Sequence, residues 1–150
     1  MGYGIGSLLS VVVTVFARLV GLDRDRAFYT AVVIVVASYY VLFAVMGGTT
    51  HALLVELGVM IAFLIVAVAG FQRNLWLVAA ALVGHGVFDI FHAGLVTNAG
   101  VPEYWPAFCM SYDVGAGGCL AWLLMRAKIA ARPQSPAPPT DVPCITIPVF

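Results

Sequence analysis

The chain has 150 residues, no formal net charge, and a composition that is 63% hydrophobic and only 9% charged. In soluble domains about a quarter of the residues are charged, so this composition excludes a soluble globular domain and is typical of an integral membrane protein. The balanced charge and the lack of a basic stripe in the sequence also argue against a nucleic-acid partner.

Five apolar segments, separated by short polar breaks, predict an all-α bundle of five transmembrane helices. The segments cover residues 3–20, 28–46, 51–71, 75–96 and 105–126. Each is close to the ~20 residues that a helix needs to cross ~30 Å of hydrocarbon. The first segment is short and carries Arg18. An interfacial position for it, which would leave four spans, therefore stays open.

The basic residues predict the orientation of this bundle. With the N-terminus outside, all seven Lys and Arg fall in the inner loops or after the last helix. The positive-inside rule makes that side cytoplasmic. We therefore expect a multi-pass protein of the bacterial inner membrane with its C-terminus in the cytoplasm. Residues 1–130 form the membrane domain, and residues 131–150, which are rich in proline, form a cytoplasmic tail.

Ionisable side chains mark the most unusual stretch, GHGVFDIFH at residues 84–92. At helical spacing His85, Asp89 and His92 lie on one face of the fourth helix. An aspartate at the centre of a membrane helix is disfavoured by ~3 kcal/mol, so such residues usually face the bundle interior and mark function. The predicted topology brings Glu56 and Asp113 to a similar depth. The sequence therefore predicts a polar site in the outer half of the bundle.

A divalent transition metal (zinc, iron or manganese) is the simplest common partner for these groups. His85 and His92 are separated by ~10.5 Å along the helix axis, too far to share one ion. Asp89 is therefore the pivotal ligand. It binds either one ion, completed by Glu56 or Asp113, or two ions that it bridges. The predicted metal ligands are His85, Asp89, His92, Asp113 and Glu56.

Other residues are assigned to roles around the metal. Glu56 and Asp113 are also the predicted general acid and base, and His51, Cys109 and Tyr112 are expected to support the ligands. The alternative is a structural cluster in which histidines and acids fix helix packing by hydrogen bonds, without an ion.

Several aromatic residues are predicted to lie near this site, towards the outer surface of the membrane. For Tyr104 and Trp105, in the connection NAGVPEYWPAF, the favoured interpretation is an aromatic belt at the lipid headgroups. The alternative is a lid over the site. Tyr39 and Tyr40 are likewise expected to anchor the interface, and the alternative for them is donation to a substrate or a carboxylate.

Two strings, GHGVFDIFH and VPEYWPAFCMSYDV, together resemble a family of small, uncharacterised bacterial integral membrane proteins. That family has a GHG-x2-D-x2-H helix and a following FC-x2-[YF]D helix. The resemblance covers roughly residues 80–120. It implies that the motif positions are His85, Asp89, His92, Cys109 and Asp113, and it brings no activity with it.

The predicted function is that of a membrane-embedded metal-binding protein, and specifically a metalloenzyme acting on a lipophilic small molecule from the outer leaflet. An accessory subunit of a larger membrane complex, or a homo-oligomer, is an alternative. A metal or proton carrier is another, although the inner half of the bundle lacks ionisable residues for a relay. A fourth hypothesis is a metal-free isomerase or cyclase of isoprenoids that uses Glu56, Asp89 and Asp113 as proton donors.

Overall fold

A computed structural model describes residues 1–133, and this part of the chain is all α-helical. Five long helices follow one another: α1 (Gly2–Val20), α2 (Arg26–Gly47), α3 (Thr50–Arg73), α4 (Leu75–Leu95) and α5 (Trp105–Met125). Each is long and apolar enough to cross a membrane. The prediction of five membrane helices is confirmed, including α1 as a full-length helix. Most of the predicted tail, residues 134–150, lies outside the described residues.

The helix boundaries follow from local capping. The side chains of Asp25, Thr49 and Asn74 precede α2, α3 and α4, and each accepts a hydrogen bond from a backbone amide of the first turn. Gly21 ends α1 with a φ of 86°, in the left-handed region where glycine is favoured. The polar breaks in the sequence are therefore capping sites, which explains why the predicted segments match the helices closely.

Helix α5 lies between α1 and α4, and α3 packs on both α2 and α4. Helices α1 and α5 run parallel, because Gly2 lies near Tyr104 and Ser10 lies near Gly115. On α1 this contact is made by small residues four positions apart, Gly2, Gly6 and Ser10. At Gly6 the backbones are so close that a β-carbon would overlap the carbonyl oxygen of Phe108.

The basic residues gather at one end of the bundle. The guanidinium of Arg26 donates to the carbonyl oxygens of Phe71 and Ala130, at 2.7 and 2.5 Å, and so joins the start of α2, the end of α3 and the segment after α5. The amide of Leu75 donates to the carbonyl of Ala131, which closes the start of α4 at the same end. This arrangement agrees with the charge pattern behind the predicted orientation.

The interior differs between the two halves. Near the basic end the core is aliphatic, with Leu75, Val78, Leu82, Leu120 and Leu123 all buried. The opposite half contains all the buried histidines and most of the buried acids; the exception is Asp23, which pairs with Arg18 at the basic end. The mainly aliphatic half and the half with the buried histidines therefore meet near the middle of α4.

Candidate metal centre

Three ionisable side chains from α4 and α5 meet at one buried point. Nδ1 of His85 lies 2.7 Å from Oδ2 of Asp113 and 3.7 Å from Oδ2 of Asp89. All three residues are at most 2% exposed. His85 and Asp89 are one turn apart on α4, so both face α5. Helix α5 approaches α4 closely because Gly86 faces Met110 and Asp113 without a side chain of its own.

Several atoms of this triad (His85, Asp89 and Asp113) lack hydrogen-bond partners among the described residues. They are Nε2 of His85, Oδ2 of Asp89 and Oδ1 of Asp113, all buried. Buried polar atoms are usually paired, and two carboxylates in a buried space are costly unless a cation or shared protons balance them. The triad therefore has unused capacity to bind a positively charged partner.

The spacing of the triad suits a metal ion. One ligand atom from each residue can be chosen so that the three lie within 4.8 Å of one another. Ligands about 2.1 Å from a metal lie about 3.0–3.5 Å apart, so small side-chain movements would complete the coordination. Three protein ligands leave further positions open, as in catalytic rather than structural zinc sites. The triad could therefore hold a divalent ion and still present it to another molecule.

Glu56 and His92 form a second buried contact instead of joining the triad. Oε1 of Glu56 lies 2.7 Å from Nε2 of His92, and it also accepts a hydrogen bond of 3.1 Å from the Asn98 side chain. Both are at most 2% exposed, and Oε2 of Glu56 has no partner among the described residues. Of the predicted partners for Asp89, the structure thus brings in Asp113 and His85 and leaves Glu56 with His92.

Tyr40 on α2 connects the two groups. Its hydroxyl donates a hydrogen bond of 2.6 Å to Oδ1 of Asp89, and its ring stacks on His92 with centroids 4.0 Å apart. Its carbonyl oxygen accepts from the Asn98 side chain. Tyr40 is 2% exposed, so it is buried in the bundle rather than anchored at the interface. Donation to a carboxylate, the alternative interpretation, describes it correctly.

The predicted supporting residues fall in different places. Cys109 is buried one turn before Asp113, and Tyr112, which directly precedes Asp113 in the sequence, is half-buried. His51 is exposed at the start of α3 and makes no hydrogen bond to the described parts of the site. Asn98, which contacts both Glu56 and Tyr40, had no signal in the sequence because it lies in a polar connection between helices.

A pocket of about 380 Å³ lies at the end of the bundle opposite the basic residues, which is the predicted outer end, in the bend of the α4–α5 connection. His92, Asn98, Pro102 and Glu103 contribute to its wall. His92 therefore contacts buried Glu56 on one side and lines an open pocket on the other. Among the buried ionisable residues, His92 is thus the one that lines this pocket.

No family model matches the sequence, and neither curated proteins nor solved structures give a significant match. The site must therefore be interpreted from its own geometry, and membership of the motif family stays a prediction.

Proposed function

We propose that this chain is a membrane-embedded enzyme that binds a divalent transition metal through His85, Asp89 and Asp113. The observation that carries the proposal is the burial of two carboxylates and an imidazole at one point, each with an atom that has no hydrogen-bond partner within residues 1–133. A divalent cation would neutralise both carboxylates, and Nδ1 of His85 is the ring nitrogen that faces them. Hydrogen bonds with Tyr40 and His85 account for one oxygen each of Asp89 and Asp113, and the second oxygen of each acid has no partner among the described residues.

The bound metal would act as a Lewis acid that polarises an oxygen of the substrate. The protein's own groups supply proton transfer. Glu56 and His92 are hydrogen-bonded, buried and adjacent to the outer pocket, which suits a general acid and base. Because Asp113 belongs to the proposed metal ligands, we assign the acid–base role to Glu56 with His92.

The surroundings support a lipophilic substrate and an enzyme rather than a carrier. The helices around the triad expose many apolar side chains on the outside of the bundle, and the core near the basic end is mainly aliphatic. A carrier for protons or metal ions needs ionisable groups along the whole path, and among the described residues no buried histidine or carboxylate lies between the triad and Asp23 at the basic end. We further propose the bacterial inner membrane as the location, with the basic end in the cytoplasm.

Elemental analysis of the protein purified in mild detergent tests the proposal. We expect stoichiometric zinc, iron or manganese in the wild-type protein and its loss in Asp89→Asn. The matched control is Glu103→Gln, an exposed acid in the outer pocket wall, which should keep the metal. Size-exclusion chromatography checks that all three proteins are folded.

Two results would contradict the proposal. One is a wild-type protein without metal even after incubation with each of the three ions. The other is metal content that is unchanged in Asp89→Asn.

Activity is then sought by incubating a lipid extract with wild-type protein or Asp89→Asn and comparing the lipids by mass spectrometry. A compound consumed only by the wild type identifies the substrate.

A further inference from the structure

A pocket lined by charged side chains lies at the basic end of the bundle, where α1 and α5 both end. Its volume is about 320 Å³. Three cationic residues and one acidic residue line this basic pocket, so its cations exceed its acids by two. The lining residues are Arg18, Asp23, Arg24, Leu123, Ala127 and Lys128.

The three cations of the basic pocket differ in their pairing. Arg18 forms an ion pair of 3.5 Å with Asp23, which is buried. Within residues 1–133 neither Arg24 nor Lys128 forms an ion pair, and both are exposed. Asp23 therefore balances one cation, and the other two remain available to a negatively charged group.

The basic pocket lies at the edge of the hydrocarbon region. Helix α1 has 19 residues and extends over ~28 Å, close to the ~30 Å of a bilayer core, and Arg18 is in its last turn. Trp122, one turn before the end of α5, is 42% exposed, as is typical of an aromatic residue at the membrane interface. The guanidinium of Arg18 lies 5.2 Å from the centre of the Trp122 ring. At this depth the pocket meets the phosphates of the lipid headgroups.

A groove between α1 and α5 continues from the basic pocket along the outside of the bundle. Its volume is about 280 Å³, and Val15 and Cys119 line it. These two residues lie three positions before Arg18 and Trp122, respectively, which is nearly one helical turn, or ~4.5 Å. The groove and the pocket therefore share one face of the α1–α5 pair. The other lining residues are mostly small: Ser7, Ser10, Val11, Thr14, Ser111 and Gly115.

We propose that the basic pocket binds the phosphate of an anionic phospholipid through Arg24 and Lys128, while one acyl chain lies in the groove between α1 and α5. Basic pockets between membrane helices on the cytoplasmic side are suited to anionic headgroups. The two available cations favour an anionic headgroup over a zwitterionic one, and the adjoining groove favours a lipid over a soluble phosphate. The site lies at the end of the bundle away from the triad, so this inference does not depend on the proposed metal.

Fluorescence quenching by brominated lipids tests the inference, because bromine quenches a tryptophan that it contacts. Purified protein is reconstituted into phosphatidylcholine vesicles with increasing fractions of phosphatidylglycerol or phosphatidylcholine that carries bromine on its acyl chains. One Lys or Arg strengthens the binding of an anionic lipid about fivefold. For two cations we therefore expect half-maximal quenching of the wild-type protein at a fraction of phosphatidylglycerol about twentyfold lower than that of phosphatidylcholine.

Three variants locate the bound lipid. Arg24→Gln/Lys128→Gln should quench equally with both lipids. Arg73→Gln/Arg132→Gln is the matched control, because it removes two exposed charges that do not line the basic pocket, and it should keep the preference. Trp122→Phe removes the neighbouring fluorophore and should lose the quenching that prefers phosphatidylglycerol. Size-exclusion chromatography checks that each variant is folded.

Four results would overturn the inference. The first is equal quenching of the wild-type protein by the two lipids. The second is an equal loss of preference in both double variants, which would show that net charge rather than the pocket attracts the lipid. The third is a preference that survives in Trp122→Phe, which would place the lipid elsewhere. The fourth is displacement of the brominated phosphatidylglycerol by glycerol phosphate, which would identify a soluble phosphate as the occupant.

Discussion

The hydroxyl of Tyr40 donates a hydrogen bond of 2.6 Å to Oδ1 of Asp89, and both residues are 2% exposed. Because Tyr40 comes from α2 and Asp89 from α4, this bond ties two helices together next to the proposed metal ligands. In the described part of the chain, Oδ2 is then the one carboxylate oxygen of Asp89 without a hydrogen-bond partner. Tyr40 thus orients the carboxylate while the second oxygen stays available.

Removal of this hydroxyl should weaken metal binding. We expect Tyr40→Phe to lower the affinity for the metal by about tenfold to a hundredfold, the usual effect of removing a group that orients a ligand. The ring of Tyr40 stays in place, so the contact of His92 with Glu56 should persist. Competition with a fluorescent chelator measures the affinity, and Tyr39→Phe, one residue earlier on α2, is the control. Equal affinities in wild type and Tyr40→Phe would show that this bond does not orient a ligand.

Asp113 and Glu56 should differ in their effect on the metal. Asp113 lies within hydrogen-bonding distance of His85, whereas Glu56 is paired with His92. We expect Asp113→Asn to abolish stoichiometric metal and Glu56→Gln to retain it, measured by elemental analysis. The reverse pattern would place the ion at Glu56 and His92, and loss of metal in both variants would favour two ions.

The contact between Glu56 and His92 should stabilise the fold. His92→Ala leaves Glu56 buried with only Asn98 beside it, and breaking a buried pair in this way costs about 3 kcal/mol or more. We expect the free energy of unfolding, measured by titration with SDS, to fall by about that amount. The double variant Glu56→Ala/His92→Ala should lose less than the sum of the single variants. Strictly additive losses would mean that the two side chains do not interact.

Packing of α1 on α5 should depend on Gly6. Overpacking costs about 1–3 kcal/mol, and a side chain at Gly6 would overlap Phe108, so Gly6→Val should lower the free energy of unfolding. Gly4 is the matched control, because it lies on the same helix and has open space around it. Gly4→Val should leave stability nearly unchanged. Equal effects of the two substitutions would argue against the close contact.

The orientation can be tested with a membrane-impermeant thiol reagent. In a variant without native cysteines, a cysteine at Ala99 in the α4–α5 connection should react in intact cells. A cysteine at Lys128, after α5, should react only after the membrane is opened. Both positions are exposed, so differences in labelling report the side of the membrane rather than burial. The opposite pattern would invert the predicted topology.

The sequence predicted the helices well because membrane spans have a length set by the bilayer and end at polar residues. Asp25, Thr49 and Asn74 are visible as polar breaks and act as helix caps. The depth of the ionisable residues along the helices was predictable for the same reason. Counting residues from the ends of α4 and α5 brings Asp113 to the level of His85 and Asp89, and the structure joins these three.

The pairing of helices was harder to predict, because depth does not define the direction in which a side chain points. Glu56 lies at a suitable height but faces His92 instead of Asp89. Tyr40 could equally have been an interface anchor, since a tyrosine near a helix end has the same sequence signature in both roles. Trp105, expected mainly in an aromatic belt, packs against Tyr39 and Phe43 of α2.

The parallel contact between α1 and α5 has a consequence for biosynthesis. Helix α1 leaves the ribosome before α2, α3 and α4, yet its main partner, α5, is made after all three. Until α5 is inserted, the face of α1 that packs on α5 is exposed to lipid. Its contact with α5 at Gly6 can form only after α5 is inserted, so chains truncated before α5 should leave α1 without this partner.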